Sequence, residues 1–210
     1  MPDPATILQG LRAIANDAIV VAVGWHVLLA AACVALLFGW RPSQQLAGAL
    51  LAAPVGSVSA FAFGYENPFN GIAFGVLALA LFEIGTRFPA YPVQRGGAGR
   101  AAIGVFMIGF AWLYPHFLDA RSPAIYLVGA PAGLIPCPTL SLVIGFTLLG
   151  GGFDSRAWNI VLGAAGLFYG AFGVARLGVG MDVVLAAGSV CLLVLSWKRR
   201  PLPRPIAGHA

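Results

Sequence analysis

Charge is what this sequence has least of. Only 9 % of its 210 residues are Asp, Glu, Lys or Arg, against about 25 % in soluble domains, and lysine occurs once, as Lys198. That scarcity excludes an ordinary soluble domain. A hydrophobic content of 60 % and a mean hydropathy of +0.89 point instead to a membrane. The formal charge of +5 does not indicate a nucleic-acid partner, because the basic residues flank apolar runs and form no separate basic domain.

Other absences narrow the chemistry. Cys33, Cys137 and Cys191 all lie inside apolar runs, where a thiol behaves as a small hydrophobe and no disulfide framework is implied. Neither an HExxH nor a paired CxxC motif is present, so no strong metal signature exists and the sequence names no cofactor. No lysine falls inside the last apolar run, which excludes a retinal Schiff base and hence a rhodopsin. A cationic leader is missing as well: Arg12 stands between Asp3 and Asp17, and the first apolar run continues past Cys33 to Trp40. The run is read as a retained helix and not as a cleaved signal.

What is present is a series of apolar runs rich in glycine and proline, 28 and 15 residues respectively, which membrane helices tolerate better than soluble ones. Residues 4–17 place Ile7, Leu8, Leu11 and Ile14 on one helical face, suiting a short helix in the membrane interface. Spans are predicted over residues 18–40, 46–64, 69–87, 101–118, 124–150, 159–175 and 179–197. The expected fold is an all-α polytopic membrane helix bundle of seven transmembrane helices, or six if one run is re-entrant. Its parts are an interfacial segment (1–17), the bundle (18–197) and a basic cytoplasmic tail (198–210). Gly48, Ala52, Gly56, Ala60 and Gly64 repeat every four residues, and Gly166 and Gly170 form a GxxxG pair beside Gly163 and Gly173. Such smooth faces suit close helix packing, either within the chain or against a second copy or a membrane-complex partner.

Loop charges give an orientation. With the C-terminus cytoplasmic, Arg41, Arg87, Arg95, Arg100, Arg156, Lys198, Arg199, Arg200 and Arg204 fall inside and Arg12, Arg121 and Arg176 outside, as the positive-inside rule requires. The N-terminus is then external. The acids Asp3, Asp17, Glu66, Asp119 and Asp182 fall on the external side too.

The least generic stretch is residues 131–150, PAGLIPCPTLSLVIGFTLLG. Prolines at 136 and 138 remove two N–H donors and would free the carbonyls of Ala132 and Leu134. A regular helix is predicted from about Pro138, with Cys137 at its N-cap and Thr139 and Ser141 close by. Cys137, Thr139, Ser141 and the carbonyls of Ala132 and Leu134 are therefore candidate ligands for an ion or small polar solute, as in transporters with discontinuous helices. A second candidate group is His26, His116 and Cys137, which all fall in the outer half. His26 lies about 12 Å and Cys137 about 9 Å from the outer surface at 1.5 Å per residue. Imidazole and thiolate suit copper or zinc, and two histidines could hold a haem. Glu83 and Arg87, four apart, form an expected ion pair. No catalytic constellation is read.

At GLIPCPTLSLVIGFTLL the chain resembles a bacterial family of multi-pass membrane proteins catalogued as domain of unknown function 6064. Asn16, Arg41-Pro42-Ser43, Asn67-Pro68, Tyr114-Pro115, Gly173-Val174 and Asp182 look like that family's landmarks in order, so the likeness covers nearly the whole chain. The chain departs from the pattern at Ile19-Val20-Val21, where a Trp-Pro is usual, and at Leu140, where a second threonine is common. The resemblance implies a multi-pass protein of the bacterial cytoplasmic (inner) membrane, with the lipid bilayer as its surroundings, and carries no established activity. The leading functional expectation is a permease or small-solute-binding membrane protein centred on the Pro-Cys-Pro element. The alternatives are a redox, metal- or haem-binding membrane protein using His26, His116 and Cys137, and a structural subunit of a membrane complex.

Overall fold

The computed structural model describes residues 3–119 and 122–198. Arg121 and the basic tail beyond Lys198 lie outside the described residues. The fold is helical, with no β-strand among the described residues and one isolated bridge between Ser43 and Pro92. Among the described residues nine α-helices follow in order: α1 (Pro4–Asp17), α2 (Ile19–Leu37), α3 (Gln44–Gly64), α4 (Pro68–Thr86), α5 (Ala98–Leu113), α6 (Tyr126–Gly129), α7 (Pro136–Leu149), α8 (Arg156–Ala175) and α9 (Val183–Lys198). Five stretches of the described residues are long and apolar enough to cross a membrane: Ile19–Leu37, Gln44–Gly64, Pro68–Thr86, Arg156–Ala175 and Gly180–Trp197. Ala98–Leu113 and Pro136–Leu149 are equally apolar but shorter.

The helices begin where short polar side chains can satisfy their first N–H groups. Asp3 accepts from Ala5 N–H, Ser43 from Leu46, Asn67 from Asn70 and Ser155 from Trp158. Pro4 and Pro68 occupy the first turn, where a missing N–H costs nothing. Helix α3 runs unbroken through Pro54.

Three close helix pairs make the body. In α3 and α4, Gly48 faces Gly85, so that a methyl group at position 48 would stand 3.0 Å from the Gly85 Cα. In α5 and α7, a methyl at Gly104 would lie 2.6 Å from the Gly145 carbonyl oxygen. In α8 and α9, Gly163, Gly166, Gly170 and Gly173 lie in turn against Leu193, Ser189, Ala186 and Asp182. The α8 face is thus filled within the chain, whereas on α3 the stripe packs at Gly48, Ala52 and Gly56 and stays exposed at Ala60 and Gly64.

Helix α7 is the hub, buried except at Cys137, Phe146 and Leu149 and packed against α3, α5, α8 and α9. At 14 residues it is about 21 Å long. Short α6 and the six-residue stretch 130–135, extended at Ala130 and Ile135 and folded into a turn over 132–134, lead into it. Helix α1 lies over this break: Leu11, Ile14 and Ala15 pack with Tyr114, Phe117, Ala130, Leu134 and Ile135. Its apolar face, expected at a lipid interface, is turned against protein.

Candidate functional site

Helix α7 starts two residues earlier than its sequence suggests. Ile135, in an extended conformation, is the N-cap, and Pro136, Cys137 and Pro138 are the first three helical residues. This corrects the expected role of the prolines. The first four N–H groups of any helix lack intrahelical acceptors, so Pro136 and Pro138 free no carbonyl at Ala132 or Leu134. They delete two donors that a buried helix start would otherwise leave unpaired. Cys137 is correspondingly in the first turn and not at the cap.

Thr139 closes the break. Its Oγ1 accepts from Gly133 N–H at 2.8 Å and donates to the Ile135 carbonyl at 2.7 Å, binding the stretch 130–135 to the turn that follows. Ala132 and Leu134 are fully buried, and their own N–H groups bond the carbonyls of Ala130 and Pro131. Gly133 has φ +80° and lies against the Trp25 indole, which leaves no room for a side chain. Ser141, one turn beyond Cys137, is fully buried, and its hydroxyl has no hydrogen-bond partner among the described residues.

The strongest polar feature was not read from the sequence. Asp182, counted there among external loop acids, is buried at 1 % exposure just before α9. Tyr114, itself fully buried at the end of α5, donates its hydroxyl to Asp182 Oδ1 at 2.7 Å. The other carboxylate oxygen leans on Gly173 of α8, where any Cβ would collide with it. The Cys137 thiol interacts with the same carboxylate and lies in the electrostatic field of Tyr114 and Tyr169. Four helices thus bring a carboxylate, a phenol and a thiol together at the break. Two signals were present in the sequence: Asp182 fell three residues inside its own predicted span, and Tyr114 preceded a helix-ending proline.

Cys137 is the half-buried exception in a buried stretch. Every residue from Gly129 to Gly145 is buried except Cys137. Tyr169 continues the polar lining on α8, its hydroxyl donating to Asn70 Oδ1 of α4 at 2.9 Å.

The histidines do not join the cysteine. His26 is 2 % exposed, with Nδ1 2.9 Å from the Ala22 carbonyl and Nε2 3.1 Å from that of Trp112, and its ring stands edge-on to the Trp112 indole. It clamps α2 to the end of α5. His116 packs edge-on against Phe117 at 4.3 Å, and burial followed by the nearby Arg12 charge holds its imidazole below the ordinary pKa. Among the described residues no group of three or more His, Cys, Asp or Glu side chains is disposed to hold a metal ion. The shared site expected of His26, His116 and Cys137 is therefore not assembled, because each histidine is committed to a different helix contact. Glu83 and Arg87 do form their ion pair, on an exposed turn of α4.

A last clamp fixes α1. Asn16 donates to the Phe117 carbonyl at 2.9 Å and accepts from Asp119 N–H at 2.9 Å, gripping the loop after α5 with both ends of its amide. Phe117 adopts φ +78° in that loop and stacks on Tyr114.

No family model, no curated protein and no solved structure matches this chain.

Proposed function

We propose that this chain is a small-solute permease or solute-binding protein of the bacterial inner membrane, working at the Cys137–Asp182–Tyr114 cluster. The observation that carries the reading is the buried Asp182 carboxylate beside the half-buried Cys137 at the break. An ionisable group inside a membrane is costly and is characteristically found on ion or proton pathways. In this reading the chain crosses seven times, with α6, α7 and the stretch between them making the fifth crossing. The N-terminus is external and the C-terminus cytoplasmic. Asn16, Tyr114, Gly173 and Asp182 lie at the same end of the bundle as Cys137.

The chemistry favours a class of solute. A helix start normally attracts anions through its free N–H groups, but here two of them are deleted and a carboxylate already stands alongside. The site suits a proton, a small cation or a neutral polar solute. Ser141, with its uncommitted hydroxyl, is the next group inward.

The test is flux through purified protein in liposomes, using a trapped pH dye and a panel of small neutral and cationic solutes. Asp182→Asn should abolish solute-dependent proton movement, and a bound solute should slow modification of Cys137 by a small methanethiosulfonate. A folded Asp182→Asn protein with undiminished flux would overturn the proposal.

A further inference from the structure

At the opposite end from Asp182, an apolar groove of about 770 Å³ runs along the outer face of α5. Its lining runs along the chain from Arg95 and Gly96 through Ala98, Ala101 and Ala102 to Val105 and Phe106. We infer that this groove holds an anionic phospholipid of the surrounding bilayer, with the phosphate on the Arg95 guanidinium and one acyl chain along the alanines. The inference rests on the membrane reading alone and is independent of transport.

Three observations support it. The alanines leave a trough about 12 Å long between positions 98 and 106 at 1.5 Å per residue, and its last lining residues are exposed, Val105 at 57 % and Phe106 at 62 %. Such surface fits contact with hydrocarbon. Arg95 makes no ion pair among the described residues, and Glu83 at the same end is already taken by Arg87. A cation at one end of an apolar trough is complementary to a molecule that carries an anion on a hydrocarbon chain. Finally, Arg95 is exposed and precedes the start of α5 at Ala98 by three residues, so its long side chain can extend outward to a phosphate at the headgroup level.

The experiment is native mass spectrometry of the full chain released from nanodiscs of mixed phosphatidylcholine and phosphatidylglycerol. The wild type should retain phosphatidylglycerol in preference to phosphatidylcholine. Arg95→Gln should lower that preference about fivefold, the factor one basic residue contributes at an anionic surface, while Arg95→Lys keeps most of it. Ala102→Phe, which fills the trough, should reduce retention of both lipids. Arg95 is exposed and outside every helix, so its variants should fold, and unfolding temperatures equal to wild type verify this. Equal retention of the two lipids by the wild type, or an Arg95→Gln protein with unchanged preference, overturns the inference.

Discussion

The two ends of the bundle are built from different materials. At one end Tyr114, Asp182, Cys137, Thr139 and Asn16 form a network of directed polar contacts around a helix that is interrupted. At the other, Phe88, Phe153 and Trp158 pack ring against ring with centroids 5.3 to 5.6 Å apart. The Trp158 indole N–H donates to Thr147 on the last turns of α7 at 3.0 Å. The same helix is therefore held by hydrogen bonds at its start and by aromatic packing at its end. Packing of rings has one good arrangement, whereas a carboxylate shared by a phenol and a thiol has several protonation states. The contrast teaches where change is affordable: the aromatic end anchors and the cysteine end adapts.

That division can be broken by substitution. Trp158→Ala should have the largest effect, removing about 3–5 kcal/mol of stability in detergent-based unfolding, because it empties the ring cluster and strands Thr147. Tyr114→Phe should cost less, about 1–3 kcal/mol for a buried carboxylate left with one donor fewer. It should also change the pH dependence of flux, which Trp158→Ala should not. If Tyr114→Phe proves the more destabilising, the anchor lies at the wrong end. Asn16→Ala should cost about 1–2 kcal/mol and show chiefly as faster amide exchange in α1 with the rest of the bundle protected.

A pH titration sharpens the comparison further. His116 has its folded pKa depressed below the ordinary value of about 6.5 by burial and by Arg12. Between those two values the unfolded chain binds more protons than the folded one, so stability rises with pH through that window. Its contribution is complete above the ordinary value and lost as pH falls through the depressed one. Protection of α1 should accordingly weaken on acidification, and His116→Gln should remove that dependence. The smallest effect is expected of Glu83→Gln, about 0.5 kcal/mol or less, since an exposed pair competes with water.

Much of the architecture was legible from local rules. Capping by Ser43, Asn67 and Ser155 fixes where helices begin, and the four-residue glycine rhythm anticipated that α3 would receive another helix. The site was less legible, for a physical reason. Asp182 looks like a loop acid because burial depends on Gly173, which sits nine positions earlier and is brought beside it only by the return of the chain. Thr139 looked like a ligand because its two bonds are to groups made available by the stretch 130–135, which no helical periodicity describes. His26 looked like a metal ligand because its acceptor on Trp112 belongs to a different helix. Sequence patterns report which faces are apolar; they do not report which polar groups find each other across the bundle.

The burial of α7 has a consequence for how the molecule is made. Residues 130–135 bond their own N–H groups locally, Ala132 to Ala130, Leu134 and Ile135 to Pro131, and Gly133 to Thr139. Thr147 of α7, however, meets its partner Trp158 only when α8 has been made, and an unpaired polar group exposed to hydrocarbon is costly. The surface covering α7 comes from α3 and α5 on one side and from α8 and α9, synthesised later, on the other. Complete burial of α7 therefore waits for α8 and α9. A chain halted after residue 150 should be degraded, and co-expression of the missing α8–α9 pair should rescue it.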